Sequence, residues 1–446
     1  MTDQNPIAQH TVLYVVAAYP SVSETFVWRE VEHLRRLGIH VLVATLRPVD
    51  QPASGVRAAD ITVYGPATAA TLWAAAGELV RHPIATAKTL LTAGKDALFP
   101  GEPTALLQRL KSLVQAIASI GLVGRLRSES IDHVHAHFAH APASIAMYSS
   151  LQLGKPWSFT GHANDLFQRR HLLRRKLERA SGVACISRWH REFYQQQLDN
   201  PRSNFEIIRC GVDLPTASTR ELFSESSIRI VSVGRLVEKK GFATLVDAYS
   251  DLAVRFPGKF RLTIAGDGPM SDVLRRQSQA SGALPPVEFT GSLDHAEVKD
   301  LVASSDLFVL ACQQDASGDK DGIPVVLMEA MAAGIPTISG DIETIRELIQ
   351  DGENGRLVPG KDTAALADAI TDLAFAPDRA RALASAGRQR VATEFATAVN
   401  LRRLLNLFDF PAGSVTPPPS APSEQIVDDL QNHIVETSHH SHKLVP

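Results

Sequence analysis

Short apolar runs alternate with stretches of helical periodicity along this 446-residue chain, and the alternation restarts in the second half. The first run, Thr11 to Ala18 (TVLYVVAA), predicts a strand buried on both faces. Apolar residues then recur at helical spacing from Phe26 to Leu37, Gly38 ends that helix, and Ile39 to Leu46 supplies the next strand. Because the crossover of such a βαβ unit is right-handed, the sequence predicts an α/β protein with parallel sheets.

The later runs divide the chain into two domains and a tail. A polar stretch without periodicity, Leu214 to Ser227, separates the two rounds of alternation. We assign residues 1–213 to one Rossmann-like domain and residues 214–410 to a second, whose last helix can pack back on the first. Residues 411–446 are rich in Pro and Ser and carry the His-rich stretch HHSHK near their end, which predicts a flexible tail. Since parallel sheets bind ligands beyond the carboxyl ends of their strands, we expect the site in a cleft between the domains.

Bulk composition excludes several classes of protein. The formal net charge of -3 and the 21% of charged residues give no global basic field for nucleic acid. The cysteines Cys185, Cys210 and Cys312 lie far apart, which fits a reducing compartment and neither a disulfide framework nor structural zinc. The start, MTDQNPIAQH, shows no signal segment, and we expect no run long enough to span a bilayer. We therefore expect a cytoplasmic location.

The segment from about residue 67 to residue 127 departs from the alternation. It is rich in Ala and Leu and carries seven cations against three acids. The cations are Arg81, Lys88, Lys95, Arg109, Lys111, Arg125 and Arg127. Two interpretations stay open: an ordinary helical excursion packed on the first domain, or a basic amphipathic surface in peripheral contact with an anionic membrane.

Two acids eight residues apart mark the stretch DKDGIPVVLMEAMAAGIPTISG. Pro324 suits the first turn of a helix, whose unpaired N–H groups attract phosphate. Asp321 would precede that helix and Glu329 would lie more than one turn inside it, within reach of different parts of one extended polar ligand. The alternative is a polar surface loop followed by a helix whose acid forms a salt bridge.

The turn GRLVEKKG follows another predicted strand. Gly234 allows close backbone approach there, and Arg235 and Lys240 are two cations suited to a diphosphate. We expect Glu238 and Lys239 to point to solvent. The AGDGP turn, which comes next, adds Asp267 as a candidate substrate contact.

Histidines occur within one predicted strand of the first domain and directly after another. In FTGHANDLF, His162 can hydrogen-bond a sugar hydroxyl, or else serve in the core or as a cap, and Asp165 is either a ligand contact or a helix N-cap. The run HVHAHFAH puts His133, His135 and His137 on one strand face. We expect no metal there, because no acid or cysteine partner is evident nearby.

These residues resemble the retaining glycosyltransferases of family 4, which have the GT-B architecture of two Rossmann-like domains facing across a cleft. The resemblance spans Thr11 to Phe408 and is closest to the bacterial branch that builds exopolysaccharides such as colanic acid and amylovoran. It is carried by YPSVSETFVWREV, HAHFA, FTGHANDLF, CISRWHRE, CGVDL, VGRLVEKKG, IAGDGP and GDKDGIPVVLMEAMAAGIPTI.

The resemblance implies roles for residues at matching positions. Arg235 and Lys240 hold the donor diphosphate, and Glu329 binds the ribose. Asp321, with the backbone of Gly322, Ile323 and Pro324, holds the transferred sugar, and His162 contacts that sugar near its reacting face. It further implies catalytic status for His162, Asp321, Arg235 and Lys240, no metal or cofactor, and a departing phosphate that takes the acceptor proton.

Two departures from the family pattern affect these expectations. The first acid of the pair is commonly Glu, whereas Asp321 is one methylene shorter, which leaves the sugar open. In place of a common Gly-Gly loop the chain has SVSET, so Ser23 and Glu24 become acceptor-side candidates. Glu24 has the alternative role of supporting the helix N-terminus.

The resemblance implies transfer of a hexosyl unit from a UDP- or GDP-sugar to a lipid-linked oligosaccharide in exopolysaccharide or other cell-surface polysaccharide synthesis. The place of that reaction is the cytoplasm, with peripheral attachment at the inner face of the plasma membrane. Two alternatives stay open: a sugar-nucleotide epimerase of the same fold, and a non-catalytic protein that binds a sugar nucleotide.

Overall fold

A computed structural model describes residues 10–21, 24–49, 52, 55–101, 105–162, 171–215 and 221–410. The chain forms two compact units. The first contains the residues up to Gly211 together with the terminal helix from Ala398, and the second contains Val212–Thr397. Ser23 and Asp165 lie outside the described residues.

The first unit is built on a seven-stranded sheet in the order β3-β2-β1-β4-β5-β6-β7, with every neighbouring pair parallel. The strands are β1 (Thr11–Ala18), β2 (His40–Arg47), β3 (Ile61–Thr62), β4 (His133–His137), β5 (Trp157–Gly161), β6 (Gly182–Cys185) and β7 (Phe205–Ile207). The helices are α1 (Thr25–Arg36), α2 (Thr68–Arg81), α3 (Pro83–Leu98), α4 (Leu106–Arg125), α5 (Ala141–Leu153), α6 (Leu173–Arg179) and α7 (Arg188–Gln196).

Side chains of β1 alternate between two cores, one on each face of this sheet. Leu13 and Val15 join the core of the face that α5 covers. Tyr14 and Val16 point to the other face and pack with residues of α1 and with Phe408, near the end of the described residues. A strand buried on both faces needs the unbroken apolar run that TVLYVVAA supplies.

The second unit contains a six-stranded parallel sheet in the order β10-β9-β8-β11-β12-β13. Its strands are β8 (Ile228–Val233), β9 (Phe260–Ala265), β10 (Glu288–Gly291), β11 (Leu307–Leu310), β12 (Thr337–Gly340) and β13 (Arg356–Val358). Its helices are α8 (Phe242–Arg255), α9 (Ser271–Ser281), α10 (His295–Ala303), α11 (Val325–Ala332), α12 (Thr363–Ala374) and α13 (Pro377–Glu394). Helix α14 (Thr397–Leu407) ends the described chain. The two parallel sheets confirm the predicted α/β fold class.

The described residues between β3 and β4 form three α-helices, α2 to α4, that pack within the first unit. Gly121 of α4 lies so close to α2 that a Cβ there would come within 2.1 Å of the Thr71 carbonyl oxygen. Among the described residues, α4 is the one helix long and apolar enough by length and composition to cross a membrane, and half of that stretch is buried in the protein. The expectation that no run reaches this length was therefore wrong.

The two described acids between residues 67 and 127, Glu78 and Asp96, are buried and paired. Glu78 accepts hydrogen bonds from Arg127 at 3.0 and 2.9 Å. Asp96, which is 1% exposed, accepts two 2.7 Å hydrogen bonds from Arg179 and one of 2.9 Å from the Tyr148 hydroxyl. These pairs fasten α2 and α3 to the rest of the first unit.

Replacing Asp96 with Ala leaves the Arg179 guanidinium facing a buried gap. We expect a loss of about 3 kcal/mol in the free energy of unfolding, the lower end for a broken buried pair because Arg179 keeps some contact with solvent. Urea unfolding followed by circular dichroism measures it. The control is Asp251→Ala, an exposed partner of Arg255, which should cost less than about 1 kcal/mol. Equal losses in the two variants would contradict the assigned role of Asp96.

Candidate functional site

The turn after β8 is fixed against the end of β11. Gln313 donates from its backbone N–H to the Lys239 carbonyl and from its side-chain amide to the Glu238 carbonyl, both at 2.9 Å. Gly241, which precedes α8, has φ +70°, and a Cβ there would lie 1.8 Å from the Ala311 carbonyl oxygen. Only glycine combines that conformation with that approach. The turn is thereby held at the carboxyl edge of the sheet.

Lys240 and Asp321 form an ion pair in this turn. The Lys240 ammonium lies 2.8 Å from Asp321 Oδ2, and its side chain is only 15% exposed. Burial opposes the ammonium charge, yet the Asp321 carboxylate raises the pKa of Lys240 above its ordinary value. Two residues 81 positions apart, each predicted to bind the donor, are thus brought into direct contact.

Lys239 does not point to solvent as expected. Its ammonium lies 2.9 Å from Asp319 Oδ2 and 3.4 Å from Asp321 Oδ1. The physical reason is that two carboxylates of the loop before α11 lie next to the turn, and each attracts a cation. Asp321 therefore lies between two lysines, with one oxygen directed to each.

The loop before α11 ends in the predicted proline. Pro324 has an extended backbone and immediately precedes Val325, the first residue of the helix. The Thr344 hydroxyl donates to the Asp321 carbonyl at 2.8 Å and fixes the loop beneath that helix end. The Leu327 N–H donates to the Pro324 carbonyl at 3.1 Å, whereas helix geometry gives the N–H groups of Val325 and Val326 no partner within the helix. Glu329 lies in the second turn, as predicted.

Asp267 and Arg235 differ in how they are held. Oδ1 of Asp267 accepts hydrogen bonds from the Gly268 N–H at 2.7 Å and the Ser271 hydroxyl at 2.5 Å, and the Ser271 bond is the main cause that lowers the pKa of Asp267. The Asp267 carbonyl accepts from the Leu236 N–H at 2.9 Å, which joins the turns after β8 and β9. Asp267 thus organises these turns. The Arg235 side chain is exposed.

His162, the residue after β5, is buried under aromatic rings at the carboxyl edge of the first sheet. Its ring centroid lies 4.7 Å from that of Phe26 and 4.6 Å from that of Phe138. Its Nε2 is 3.2 Å from Nδ1 of His137. Burial, followed by the fields of neighbouring histidines, holds the pKa of His162 well below its ordinary value, so the ring is neutral at neutral pH.

Glu24 precedes α1 but does not cap it. Its side chain makes no hydrogen bond to the helix N-terminus, and its Oε2 is buried without a hydrogen-bond partner among the described residues. Burial raises the pKa of Glu24, and the fields of His137 and Arg47 offset this only in part. A buried carboxylate oxygen without a partner can accept a hydrogen bond from a ligand hydroxyl.

Comparison with known proteins identifies the family. Residues 215–390 match the family described as "Glycosyl transferases group 1", and residues 23–215 match "Glycosyltransferase Family 4". The chain belongs to the group 1, family 4 glycosyltransferases. The family predicted from the sequence motifs is thereby confirmed.

Relatives of this glycosyltransferase include proteins of exopolysaccharide synthesis. The chain is 26% identical over 427 residues to the amylovoran biosynthesis glycosyltransferase AmsK of Erwinia amylovora, covering 88% of this chain and 97% of AmsK. It is 34% identical over 214 residues to the putative colanic acid biosynthesis glycosyltransferase WcaL of Escherichia coli K12. That match covers 48% of this chain and spans about half, 52%, of WcaL.

Solved structures support the fold of this glycosyltransferase. HepE of Anabaena, crystallised with UDP, has a TM-score of 0.64 at 15% identity, covering 90% of this chain and all of the HepE chain. At this identity the likeness establishes the fold. It agrees with the GT-B class predicted from the sequence.

The sequence analysis missed an acid beside the histidines of β4. Nε2 of His137 lies 2.9 Å from Oε1 of Glu30, on α1, and ligand atoms of Glu30, His135 and His137 lie within 4.8 Å of one another. The statement that no acid lies nearby was therefore wrong. Hydrogen bonds already engage these atoms: His135 contacts the Ser158 hydroxyl at 2.7 Å and the Thr160 hydroxyl at 3.0 Å, one with each ring nitrogen. We assign the cluster to a hydrogen-bond network.

Replacing Glu24 with Gln should stabilise this glycosyltransferase at neutral pH. The pKa of Glu24 in the folded protein lies above the ordinary 4.5. At pH values above the folded pKa, ionised Glu24 therefore lowers the free energy of unfolding, and below pH 4.5 this effect is absent. We therefore expect a higher Tm for Glu24→Gln at pH 7, with the difference shrinking as the pH falls toward 4. Differential scanning calorimetry at several pH values measures it. An unchanged or lower Tm at pH 7 would contradict the burial of an unsatisfied carboxylate.

Proposed function

We propose that the chain is a retaining hexosyltransferase that moves sugar from a UDP- or GDP-sugar to a lipid-linked oligosaccharide in exopolysaccharide or cell-surface polysaccharide synthesis. The observation that carries this proposal is the Lys240–Asp321 contact beside the N-terminus of α11. It collects a cation, a carboxylate and the backbone N–H groups of a helix N-terminus at one point. The names of AmsK and WcaL support the polysaccharide, and the UDP complex of HepE supports a nucleotide donor.

The donor diphosphate would take the place of Asp321 on Lys240. Arg235 and the first N–H groups of α11 supply further donors to its oxygens. Asp321 then keeps Lys239 as its cation, and its freed oxygen accepts a hydrogen bond from the sugar. Glu329 lies deeper along the same helix and is assigned to the ribose.

The transfer step exchanges one bond at the anomeric carbon. The bond from that carbon to the diphosphate oxygen breaks, a bond to the acceptor hydroxyl oxygen forms on the same face, and the acceptor proton passes to the departing diphosphate. Negative charge develops on the leaving group, and Arg235 and Lys240 are placed to stabilise it. His162, and Glu24 on the acceptor side, act by hydrogen bonds to hydroxyl groups.

Lys240→Ala and Glu329→Ala should each lower kcat/KM for donor hydrolysis at least tenfold, since a charged hydrogen bond is worth roughly 1.5–3 kcal/mol. Release of nucleotide from UDP- and GDP-hexoses, with water as acceptor, measures it. The control is Lys361→Ala, an exposed lysine whose only described ion pair is a 3.5 Å contact with Glu238. Wild-type rates in either site variant would contradict the assignment of the donor site.

The first-formed hexose tests the stereochemistry. Proton NMR of the product of an α-linked donor should show the α anomer first. A β anomer would contradict retention, and conversion of the nucleotide sugar to an epimer without hydrolysis would point to the epimerase. Binding without any turnover would point to a non-catalytic protein.

A second part of the proposal places the enzyme on the inner face of an anionic membrane. Of the seventeen large apolar side chains that are exposed among the described residues, thirteen lie between Leu72 and Ile117. They include Trp73 at 80% exposure and Ile84 at 85%. Exposed apolar side chains concentrated on one set of helices indicate a surface that meets another apolar phase.

The positive charge of this surface favours a lipid bilayer as its partner. Arg81, Lys88, Lys95 and Lys111 are exposed on α2 to α4, whereas the two described acids of these helices are buried and already paired. The exposed charge of the described part of this segment is therefore positive. Cations beside apolar side chains suit lipid headgroups and acyl chains together, and a lipid-linked acceptor is reached from the same surface.

Replacing Arg81, Lys88 and Lys95 with Gln should weaken binding to vesicles of phosphatidylcholine with phosphatidylglycerol on the order of a hundredfold, at about 1 kcal/mol per cation. Trp73→Ser should weaken it as well, by loss of an apolar anchor. Cosedimentation measures both. Matched controls in the second unit are Lys259, Arg276 and Lys299 changed together to Gln, and Val254→Ser, another exposed apolar residue. Unaltered partition of the triple variant would contradict the membrane surface.

A further inference from the structure

We infer that Glu30 and His137 are positioning residues that hold the His162 ring in the tautomer with its proton on Nε2, which leaves Nδ1 as the hydrogen-bond acceptor of the ring. This inference deepens the proposed function, because it specifies how His162 meets a sugar hydroxyl. The relay is defined as Glu30, His137 and His162. It joins α1, the last residue of β4 and the first residue after β5.

Each neighbouring pair of side chains in the relay lies within hydrogen-bond distance. Nε2 of His162 lies 3.2 Å from Nδ1 of His137, and Nε2 of His137 lies 2.9 Å from Oε1 of Glu30. The Tyr14 hydroxyl lies 2.7 Å from the same carboxylate oxygen. The His137 side chain is 1% exposed and that of Glu30 is 19% exposed, so the contacts are formed largely out of water.

The chemistry of Glu30 gives the relay one direction. An ionised carboxylate only accepts hydrogen bonds, so both the Tyr14 hydroxyl and Nε2–H of His137 must donate to it. When Nε2 of a neutral His137 ring carries the proton, its Nδ1 is an acceptor. It can accept only from Nε2–H of His162, which fixes the tautomer of His162. This is the way in which a carboxylate orients a histidine through its second nitrogen.

For the His162 ring, the variable is the choice of tautomer and not ionisation. His140 after β4 and His190 on α7 face His162, and Glu24 before α1 lies near His137. Burial and these histidines keep the pKa of His162 well below its ordinary value. A neutral ring presents either a donor or an acceptor to a hydroxyl group, and the relay selects the acceptor.

Nitrogen-15 NMR of histidine-labelled full-length protein reads the tautomer without any turnover. The signals of His162 are assigned by their loss in His162→Asn. We expect a protonated Nε2 and an unprotonated Nδ1 in the wild type. In Glu30→Gln the side chain can donate as well as accept, so a population with protonated Nδ1 should appear. The control is Glu32→Gln on the same helix, whose carboxylate pairs with Arg35 at 3.0 Å and which should leave His162 unchanged.

A protonated Nδ1 on His162 in the wild type, or an unchanged tautomer in Glu30→Gln, would overturn the inference.

Kinetics give the second readout: kcat for donor hydrolysis should fall on the order of tenfold in Glu30→Gln, with the donor KM unchanged, since one net hydrogen bond is worth roughly 0.5–1.5 kcal/mol. A wild-type kcat in that variant would remove the positioning role. If Glu30→Gln fails to fold, His137→Gln serves as the second variant. Absence of all turnover with the expected tautomer would count against the proposed function and leave the relay standing.

Discussion

Parallel strand pairing is the constraint on which the arrangement of polar groups depends. In each sheet of the described chain the strands run in one direction, so the residues that follow them meet at one edge. His137 and His162 come together at that edge in the first unit. Lys240 and Asp321 come together at the corresponding edge of the second. Without this alignment, segments 25 and 81 residues apart would have no reason to touch.

Charge neutralisation inside the protein decides which charges remain for ligands. Glu78 and Asp96 are each paired with an arginine in the interior, so the cations exposed on α2 to α4 have no described acid of that segment beside them. In the second unit the reverse holds, because Asp321 is shared between two lysines. A diphosphate bound there, as proposed, would replace one anion with another and create no unpaired buried charge. Such an exchange avoids the cost of burying a cation alone.

The apolar runs Thr11 to Ala18 and Ile39 to Leu46 predicted β1 and β2, because parallel strands buried on both faces need continuous apolar runs. Strands β3 and β13 have two and three residues and are too short to show such a pattern. Predicted donor residues that follow strands were brought together as expected, since local spacing and strand order suffice for that. The contacts of Lys239 and Glu30 were not predicted, because their partners are distant in sequence. Asp319 lies 80 residues from Lys239, and His137 lies 107 residues from Glu30. Periodicity carries no information about such pairings.

Binding of free nucleotides tests the central claim, that Lys240 and the end of α11 form a diphosphate site. A ligand that binds only the native state raises its melting temperature according to concentration and affinity. The account predicts that UDP or GDP, but not ADP, raises the Tm of the wild type and that Lys240→Ala loses most of this shift. No shift with any nucleotide, or the same shift in Lys240→Ala, would contradict it.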